Sequence, residues 1–187
     1  MALLHTPAAQ SNFIAPDFEL KGTDGQMHTI RNLMAEQQAK NGLAVAFICN
    51  HCPYVLAIID RLARDFKAMQ AEGVACVAIM PNDTINYPDD SFENMIGFAK
   101  AHNFTFPYVI DETQDVARAY DAVCTPDLFG FDAELALRYR GRLDSAANNH
   151  EDSRTIPEMF NAMQGIAEGR AAPPHQKPSM GCSIKWR

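Results

Sequence analysis

The sequence has no long apolar run, and its first residues do not predict an export leader. No stretch approaches the roughly 18 consecutive apolar residues that a membrane-spanning helix needs. The first residues, Met1 to Thr6, lack the basic segment followed by an apolar one that marks a signal peptide. We therefore predict a cytoplasmic protein with no membrane partner.

Basic charge is also scarce. Lys and Arg total 16 against 23 Asp and Glu, so the formal net charge is −7 at pH 7. Nucleic acids and anionic lipids are bound mainly by basic side chains, so we expect neither as a partner. With 187 residues, 47% of them hydrophobic, the chain can bury a proper core. We predict one domain over residues 1–187, with a core at about 15–169 and a tail at 170–187.

The chain has five cysteines, an odd number that does not suit a structural disulfide framework. In a reducing compartment such thiols are catalytic, redox-active, metal-binding or simply buried. Their positions therefore decide how each of them is interpreted.

Two of the cysteines belong to the most informative stretch, Phe47 to Val55. An apolar run over residues 43–48 predicts a strand buried on both faces, and Pro53 suits the first position of a helix. Cys52 would then sit at the helix N-terminus, where free N–H groups and the helix dipole favour a thiolate. A helix N-terminus lowers a cysteine pKa by about one unit and backbone N–H bonds add to that; a pKa of about 6–7 would make the thiolate of Cys52 a major species.

Hydrophobic periodicity and turn residues predict the remaining elements. Residues 1–15 look loosely ordered, and the tail is rich in proline and looks extended, with an apolar end. The predicted hairpin covers residues 17–20 and 26–30; the strands cover 43–48, 74–80, 106–110, 128–132 and 135–141; the helices cover 53–71, 88–101, 113–120 and 155–168.

The chain resembles a known family at these positions. A strand ending at Cys-Pro-Tyr before a helix, with Cys124-Thr125-Pro126 before a later strand, resembles the thioredoxin fold. The hairpin, the string Cys-Asn-His-Cys-Pro-Tyr-Val and the Gly-Cys-Ser-Ile-Lys-Trp tail are similar to a group within its redoxin branch, alkyl hydroperoxide reductase/thiol-specific antioxidant (AhpC/TSA). The resemblance implies an α/β thioredoxin-like fold, with helices on both faces of a central mixed sheet, an extra N-terminal hairpin and an extended C-terminal tail.

The resemblance also implies a site and an activity. Pro126 would follow a cis peptide bond and face Cys52, with the backbone of Thr125 ready to pair with an extended substrate. We predict a thiol-disulfide oxidoreductase of cellular redox homeostasis. Cys52 is its nucleophile, and Val55 occupies the place of the usual resolving cysteine. Its substrate would be a protein or small-molecule disulfide or thiol, and its reductant a protein such as a thioredoxin. Whether it is a monomer or a homodimer stays open.

Three cysteines compete for the resolving role. Cys49 is the first choice, provided that the chain turns at Asn50 and His51, because an extended strand would hold the two Cα atoms roughly 10 Å apart. Cys124 and Cys182 are the alternatives, and Cys182 lies in a tail that could fold over the site. The fifth, Cys76, lies inside a predicted strand and reads as a core residue.

Two other functions remain open. A peroxiredoxin-like thiol peroxidase with antioxidant activity is one, although Pro126 and Cys49 replace the arginine and threonine that activate peroxide in that family. Arg142 could substitute for the arginine, orient a substrate or pair with Asp144. The other is a redox-inactive or metal-binding module, in which Cys49, His51 and Cys52 hold zinc or copper. His51 and Pro53 line the predicted site in every case, and we predict no metal and no cofactor.

Overall fold

The computed structural model describes residues 2–10 and 12–187. Met1 and Ser11, which belong to the segment expected to be loosely ordered, lie outside the described residues. Within these ranges the strands are β1 (Leu3–His5), β2 (Leu20–Gly22), β3 (Met27–His28), β4 (Gly42–Phe47), β5 (Val74–Met80), β6 (Tyr108–Ile110), β7 (Cys124–Thr125), β8 (Asp127–Phe131), β9 (Leu137–Arg140) and β10 (Met180–Ser183). The helices are α1 (Ile30–Glu36), α2 (Pro53–Leu56), α3 (Ile59–Ala71), α4 (Phe92–Ala101), α5 (Asp115–Ala119) and α6 (Glu158–Ala167).

Seven strands form the central sheet in the order β3-β2-β6-β5-β4-β8-β9. The middle of the sheet is parallel, since β4 pairs with β5 and β5 with β6 in that sense. Both edges are antiparallel, formed by β8 and β9 on one side and by the β2–β3 hairpin on the other. This mixed sheet confirms the predicted fold class.

Helices cover both faces of this sheet because side chains alternate along each buried strand. In β4, Ala44 and Ala46 pack into the core that α2, α3, α4 and α6 complete. Leu43, Val45 and Phe47 point the other way, into the core with α1 and α5. Every residue of β4 is buried, as its continuous apolar sequence predicts.

The predicted helix over residues 53–71 is interrupted. It is two helices, α2 and α3, separated at Ala57 and Ile58. The N–H of Ile58 donates to the carbonyl of Val55, a three-residue bond that tightens the turn. The apolar spacing runs through this turn without a break, which is why the periodicity alone does not reveal it.

The two ends of the chain build a second sheet, of order β1-β10-β7. In it β10, from the tail, lies between β1 and the short strand β7. The expectation that residues 1–15 are loosely ordered is wrong for residues 3–5, which form β1. Their side chains are exposed, so β1 forms through backbone pairing with β10, and no apolar pattern announces it.

No helix in the described ranges has the length and apolar character that crossing a bilayer requires.

Candidate active site around Cys52

The site begins where β4 ends. The chain bends at Asn50 and His51, and Cys52 is the N-cap residue of α2 with Pro53 at the first helical position. The N–H groups of Val55 and Leu56 both donate to the carbonyl of Cys52 at 2.9 Å. Cys52 is 0% exposed, so its thiol is enclosed by protein. Pairing of Cys49 with Cys52 requires a bend at these two residues, and the structure has it.

The thiols of Cys49 and Cys52 both contact Thr125. The Sγ atom of Cys49 lies 3.3 Å from the Thr125 hydroxyl oxygen. The thiol form of Cys52 donates to the Thr125 carbonyl oxygen at 3.1 Å. The peptide bond between Thr125 and Pro126 is cis. The structure thus places two buried thiols and the cis-proline segment together.

A third thiol reaches the same place from the tail. Strand β10 pairs with β7 in a register that sets Cys182 opposite Thr125 and Ser183 opposite Cys124. Residues directly opposite each other in an antiparallel pair have Cα atoms only about 4.5–5.5 Å apart. Cys182 is 5% exposed, so it is a buried neighbour of Cys52 and not a thiol on a loose tail.

The three thiols have very different acidities. Hydrogen bonding lowers the pKa of Cys52 to about 5: the Cys49 thiol contributes most, then the backbone and thiol of Cys182 and the backbone of Val55, against the opposing effect of burial. The hydrogen bond to Cys52, burial and the charge of Asp90 raise the pKa of Cys49 far above its usual range. Burial and Cys52 raise the pKa of Cys182 to about 11. At neutral pH the cluster therefore holds one thiolate between two protonated thiols.

His51 stands beside the cluster in a fixed orientation. Its Nδ1 atom lies 2.9 Å from Oδ2 of Asp90, an ion-pair distance without the alignment of a hydrogen bond. Its ring stacks on Tyr87, with centroids 6.2 Å apart and planes 6° from parallel. Asp90 is completely buried and also accepts from the Asn50 N–H and the Asn82 side chain, each at 2.8 Å.

Asp90 is a site residue that the sequence did not single out. Its place near the start of a predicted helix gave it an ordinary explanation, as a carboxylate at the positive end of a dipole. In the structure, residues 88–90 form a separate 3₁₀ turn, and α4 begins after Ser91. No spacing in the sequence links Asp90 to His51, because the contact is made between distant parts of the chain.

Comparison with known protein families identifies the family of this chain. The AhpC/TSA family matches residues 13–140, more than half of the chain. This chain belongs to the AhpC/TSA family. No curated protein matches it.

Two solved structures are similar to this AhpC/TSA protein over nearly its whole length. An uncharacterized conserved protein from Geobacillus kaustophilus is 39% identical, with a TM-score of 0.92, and the match covers 100% of this chain and 97% of the other. A hypothetical protein from Sinorhizobium meliloti is 35% identical, with a TM-score of 0.89, over 98% of each chain.

More distant structures share the fold alone. A peroxidoxin from Mycobacterium tuberculosis is 13% identical, with a TM-score of 0.61, over 86% of this chain and 97% of the other. Structures described as thiol-disulfide oxidoreductases are 15% and 19% identical. These neighbours therefore show that this AhpC/TSA protein has the thioredoxin-like fold.

Arg142 and Cys124 make their hydrogen bonds with groups other than Cys49 and Cys52. Arg142 does not pair with Asp144; its Nε and Nη2 atoms donate to the carboxylate of Glu158 at 2.7 and 2.8 Å. Asp144 binds Arg61 instead, at 2.7 Å.

Cys124 donates to the carbonyl of Pro126 at 3.5 Å, and burial is the main cause of its raised pKa. Neighbouring strand residues point to opposite faces, so the Cys124 side chain points away from the face on which Thr125 meets Cys49.

One group of described residues has the composition of a metal site. Ligand atoms of Cys49, His51 and Asp90 all lie within 4.8 Å of one another. The set considered from the sequence contained Cys52 where the structure has Asp90. Thiolate, imidazole and carboxylate would suit zinc. The Asp90 oxygens, however, already accept hydrogen bonds from Asn50 and Asn82, and the pKa of Cys49 is raised, which opposes the thiolate that a metal needs.

Proposed function

We propose that this AhpC/TSA protein is a thiol-disulfide oxidoreductase, with Cys52 as its nucleophile and Cys49 as its resolving thiol. The convergence of both sulfur atoms on Thr125, beside the cis-proline, is the observation that supports it best. The low pKa of Cys52 adds to it, because the thiolate is the form that attacks a disulfide.

In the proposed reaction the Cys52 thiolate attacks one sulfur of a substrate disulfide. The substrate S–S bond breaks, a mixed disulfide with Cys52 forms, and one substrate thiolate leaves and takes up a proton. Cys49 then loses its proton and attacks Cys52. The mixed disulfide breaks, the second substrate thiol leaves, and a Cys49–Cys52 disulfide remains. Two protein thiols are oxidised as one substrate disulfide is reduced, and an external thiol reductant restores them.

Neighbouring groups have defined parts in this proposal. Pro53 occupies the first helical position, where a missing backbone N–H costs nothing. The helix therefore begins immediately after Cys52. Thr125 lies between the two sulfur atoms: its hydroxyl contacts Cys49, and its carbonyl accepts from Cys52 only while Cys52 carries its proton. His51, oriented by Asp90 near Cys49, is placed to accept the proton that Cys49 must lose.

A single-turnover experiment tests the assignment. Reduced protein is mixed with a disulfide, and the loss of protein thiols is followed by quenching and peptide mass mapping. We expect wild type to end with a Cys49–Cys52 bond, Cys49→Ser to stop at the mixed disulfide on Cys52, and Cys52→Ser to be inert. Cys76→Ala removes a buried thiol from β5 and serves as the control. A fully active Cys52→Ser variant would refute the proposal.

A thiol peroxidase is the second candidate, favoured by the family match and by the complete burial of Cys52, which a small oxidant tolerates best. In that reaction the thiolate attacks the peroxide oxygen, giving a sulfenic acid and an alcohol or water, and a second thiol displaces water to form the disulfide. Peroxide consumption at only the slow rate of an unactivated thiol would exclude this candidate.

A further inference from the structure

Strand β10 occupies the backbone edge of Thr125 next to Cys52, where an extended polypeptide could pair only by taking its place. Its register sets Cys182 opposite Thr125, the residue before the cis-proline. A strand edge offers one row of N–H and C=O groups, so a second chain cannot pair there while β10 does.

Gly181 makes this contact unusually close. A Cβ atom built on Gly181 would lie 2.1 Å from the carbonyl oxygen of Thr125 and 2.9 Å from the nitrogen of Pro126. Backbone atoms of a neighbouring segment cannot move aside as a flexible side chain can. The tail is therefore seated on the cis-proline segment at a distance that only glycine permits.

The tail is also anchored on both sides of Cys182. Before it, the Ser179 hydroxyl donates to the Pro126 carbonyl at 2.9 Å, and β1 pairs with the outer edge of β10. After it, the Lys185 N–H donates to the Asn82 side chain at 2.9 Å, and the guanidinium of Arg118 lies 4.4 Å from the centre of the Trp186 ring. These contacts make β10 part of the folded structure.

The space that remains near the site is small. A cavity of about 100 Å³ lies beside Pro126, between the start of the helical segment at Tyr54 and Ile58 and the tail at Met180. Its other walls include Leu143 and Arg142. Cys52 is not among its lining residues and is itself fully buried, so the cavity cannot seat a strand of polypeptide against the sulfur, and a small molecule needs the least opening to reach it.

We infer that the substrates of this site are disulfides of low molecular weight, and that the tail excludes disulfides carried by proteins. This inference rests on the proposed function and names its substrate class. The exchange chemistry is the one given above, with a small organic disulfide reduced to two thiols. The same closure excludes a protein reductant, so the Cys49–Cys52 disulfide would be reduced by small thiols or dithiols and not by a thioredoxin.

Single-turnover rates with two disulfides test this inference. Reduced wild type, Gly181→Ala and Gly97→Ala are each mixed with bis(2-hydroxyethyl) disulfide and with insulin. Gly97 is the matched control, because a Cβ there has no neighbour within 4 Å. We expect wild type and Gly97→Ala to react with the small disulfide and hardly with insulin. In Gly181→Ala the added methyl group should unseat the tail and raise the insulin rate, relative to the small disulfide, by about tenfold or more.

Two results would overturn the inference alone: a wild type that reduces insulin as fast as the small disulfide, or an unchanged rate ratio in a Gly181→Ala variant whose tail amides exchange faster with solvent. If Gly181→Ala does not fold, Trp186→Ala loosens the tail at its far anchor and must shift the ratio in the same direction. Wild-type Cys52 that reacts with neither disulfide would refute the proposed function, and the substrate assignment with it.

Discussion

The acidity of Cys52 depends on a residue far away in the sequence. Hydrogen bonding from Cys49 lowers its pKa most, and the backbone and thiol of Cys182 contribute next. The helix N-terminus, from which the sequence predicted a lowered pKa, contributes through the backbone of Val55 and is a smaller cause. Part of the reactivity of the nucleophile is thus supplied by the tail.

Replacing Cys182 by alanine is therefore expected to raise the pKa of Cys52 above about 5. The variant loses the thiol that donates to Cys52 and keeps the backbone of β10. The ultraviolet absorbance of the thiolate, followed against pH, measures the change without requiring a reagent to reach a buried sulfur. Cys76→Ala should leave the titration at its wild-type midpoint. An unshifted midpoint in Cys182→Ala would mean that the tail thiol does not stabilise the charge.

The same pKa makes stability depend on pH. The folded pKa of Cys52 is about 5, whereas an unfolded cysteine titrates at about 8.5. The stabilisation is therefore complete above about pH 8.5 and is lost as the pH falls through about 5. We expect the free energy of unfolding of wild type, relative to Cys52→Ser, to increase as the pH rises from 5 to 8. Urea unfolding under reducing conditions measures it, and a difference that is flat with pH would contradict the assignment.

Asp90 is the residue that joins the bend before Cys52 to the loop after β5. It accepts from the Asn50 N–H and the Asn82 side chain, and it lies beside His51. An amide in its place would turn a donor toward a donor. Asp90→Asn should cost about 1–3 kcal/mol in the free energy of unfolding, and it should slow resolution of the mixed disulfide more than its formation. The control is the exposed neighbour, Asp89→Asn, for which we expect little change in either quantity.

At the scale of elements, a buried ion pair holds β7 and β8 against β9. Arg140 and Asp127 are 2% and 0% exposed, and Nη2 of Arg140 lies 2.8 Å from the Asp127 carboxylate. Asp127 also accepts from the N–H of Val123, just before β7. Burial raises the pKa of Asp127 in spite of Arg140, which shows how costly its charge is in this place.

Removing Arg140 should destabilise this corner strongly. Arg140→Met leaves Asp127 buried without its partner, and we expect a loss of about 3–5 kcal/mol in the free energy of unfolding. Arg138→Met, two residues earlier on the same strand, breaks a pair in which the arginine is half-exposed and Asp132 keeps the backbone hydrogen bonds of Glu134 and Ala136, so it should cost less, about 1 kcal/mol. Chemical denaturation of both variants measures the two losses in the free energy of unfolding. Equal losses would contradict the view that burial makes the Arg140–Asp127 pair the more costly one to break.

At the scale of the whole molecule, the two ends of the chain depend on each other. The N–H of Ser183 donates to the carbonyl of Ala2, and Thr6 exchanges hydrogen bonds with Ser179. Deletion of residues 1–6 is expected to leave the central sheet intact and to expose the outer edge of β10. Amide hydrogen exchange should become faster at Ser183 and stay slow throughout β4 and β5. Unchanged protection of Ser183 would show that β10 is held from the cis-proline side alone.

Local patterns predicted most of the central sheet. The strand over residues 74–80 has the bounds that its apolar run indicates, because a strand buried on both faces needs continuous hydrophobic residues. The first core strand differs from its prediction by one residue at each end, because Gly42 pairs with Val74 and the ladder stops at Phe47. The predictions failed where a turn interrupted a helical pattern, at Ala57 and Ile58, and where a strand has no buried face, as in β1.

The sequence by itself determined the fold class and placed Cys52 at the start of a helix, because both follow from residues close together in the chain. Only the tertiary structure decided which groups surround that sulfur. The resemblance placed Thr125 near Cys52, but the contacts of Thr125 and Cys182 with the sulfur, and of Asp90 with the bend before it, are made by backbone pairing and buried hydrogen bonds between distant segments, whose partners no local pattern encodes. It also showed that the tail is a strand on the cis-proline segment, seated there because Gly181 has no Cβ to prevent it.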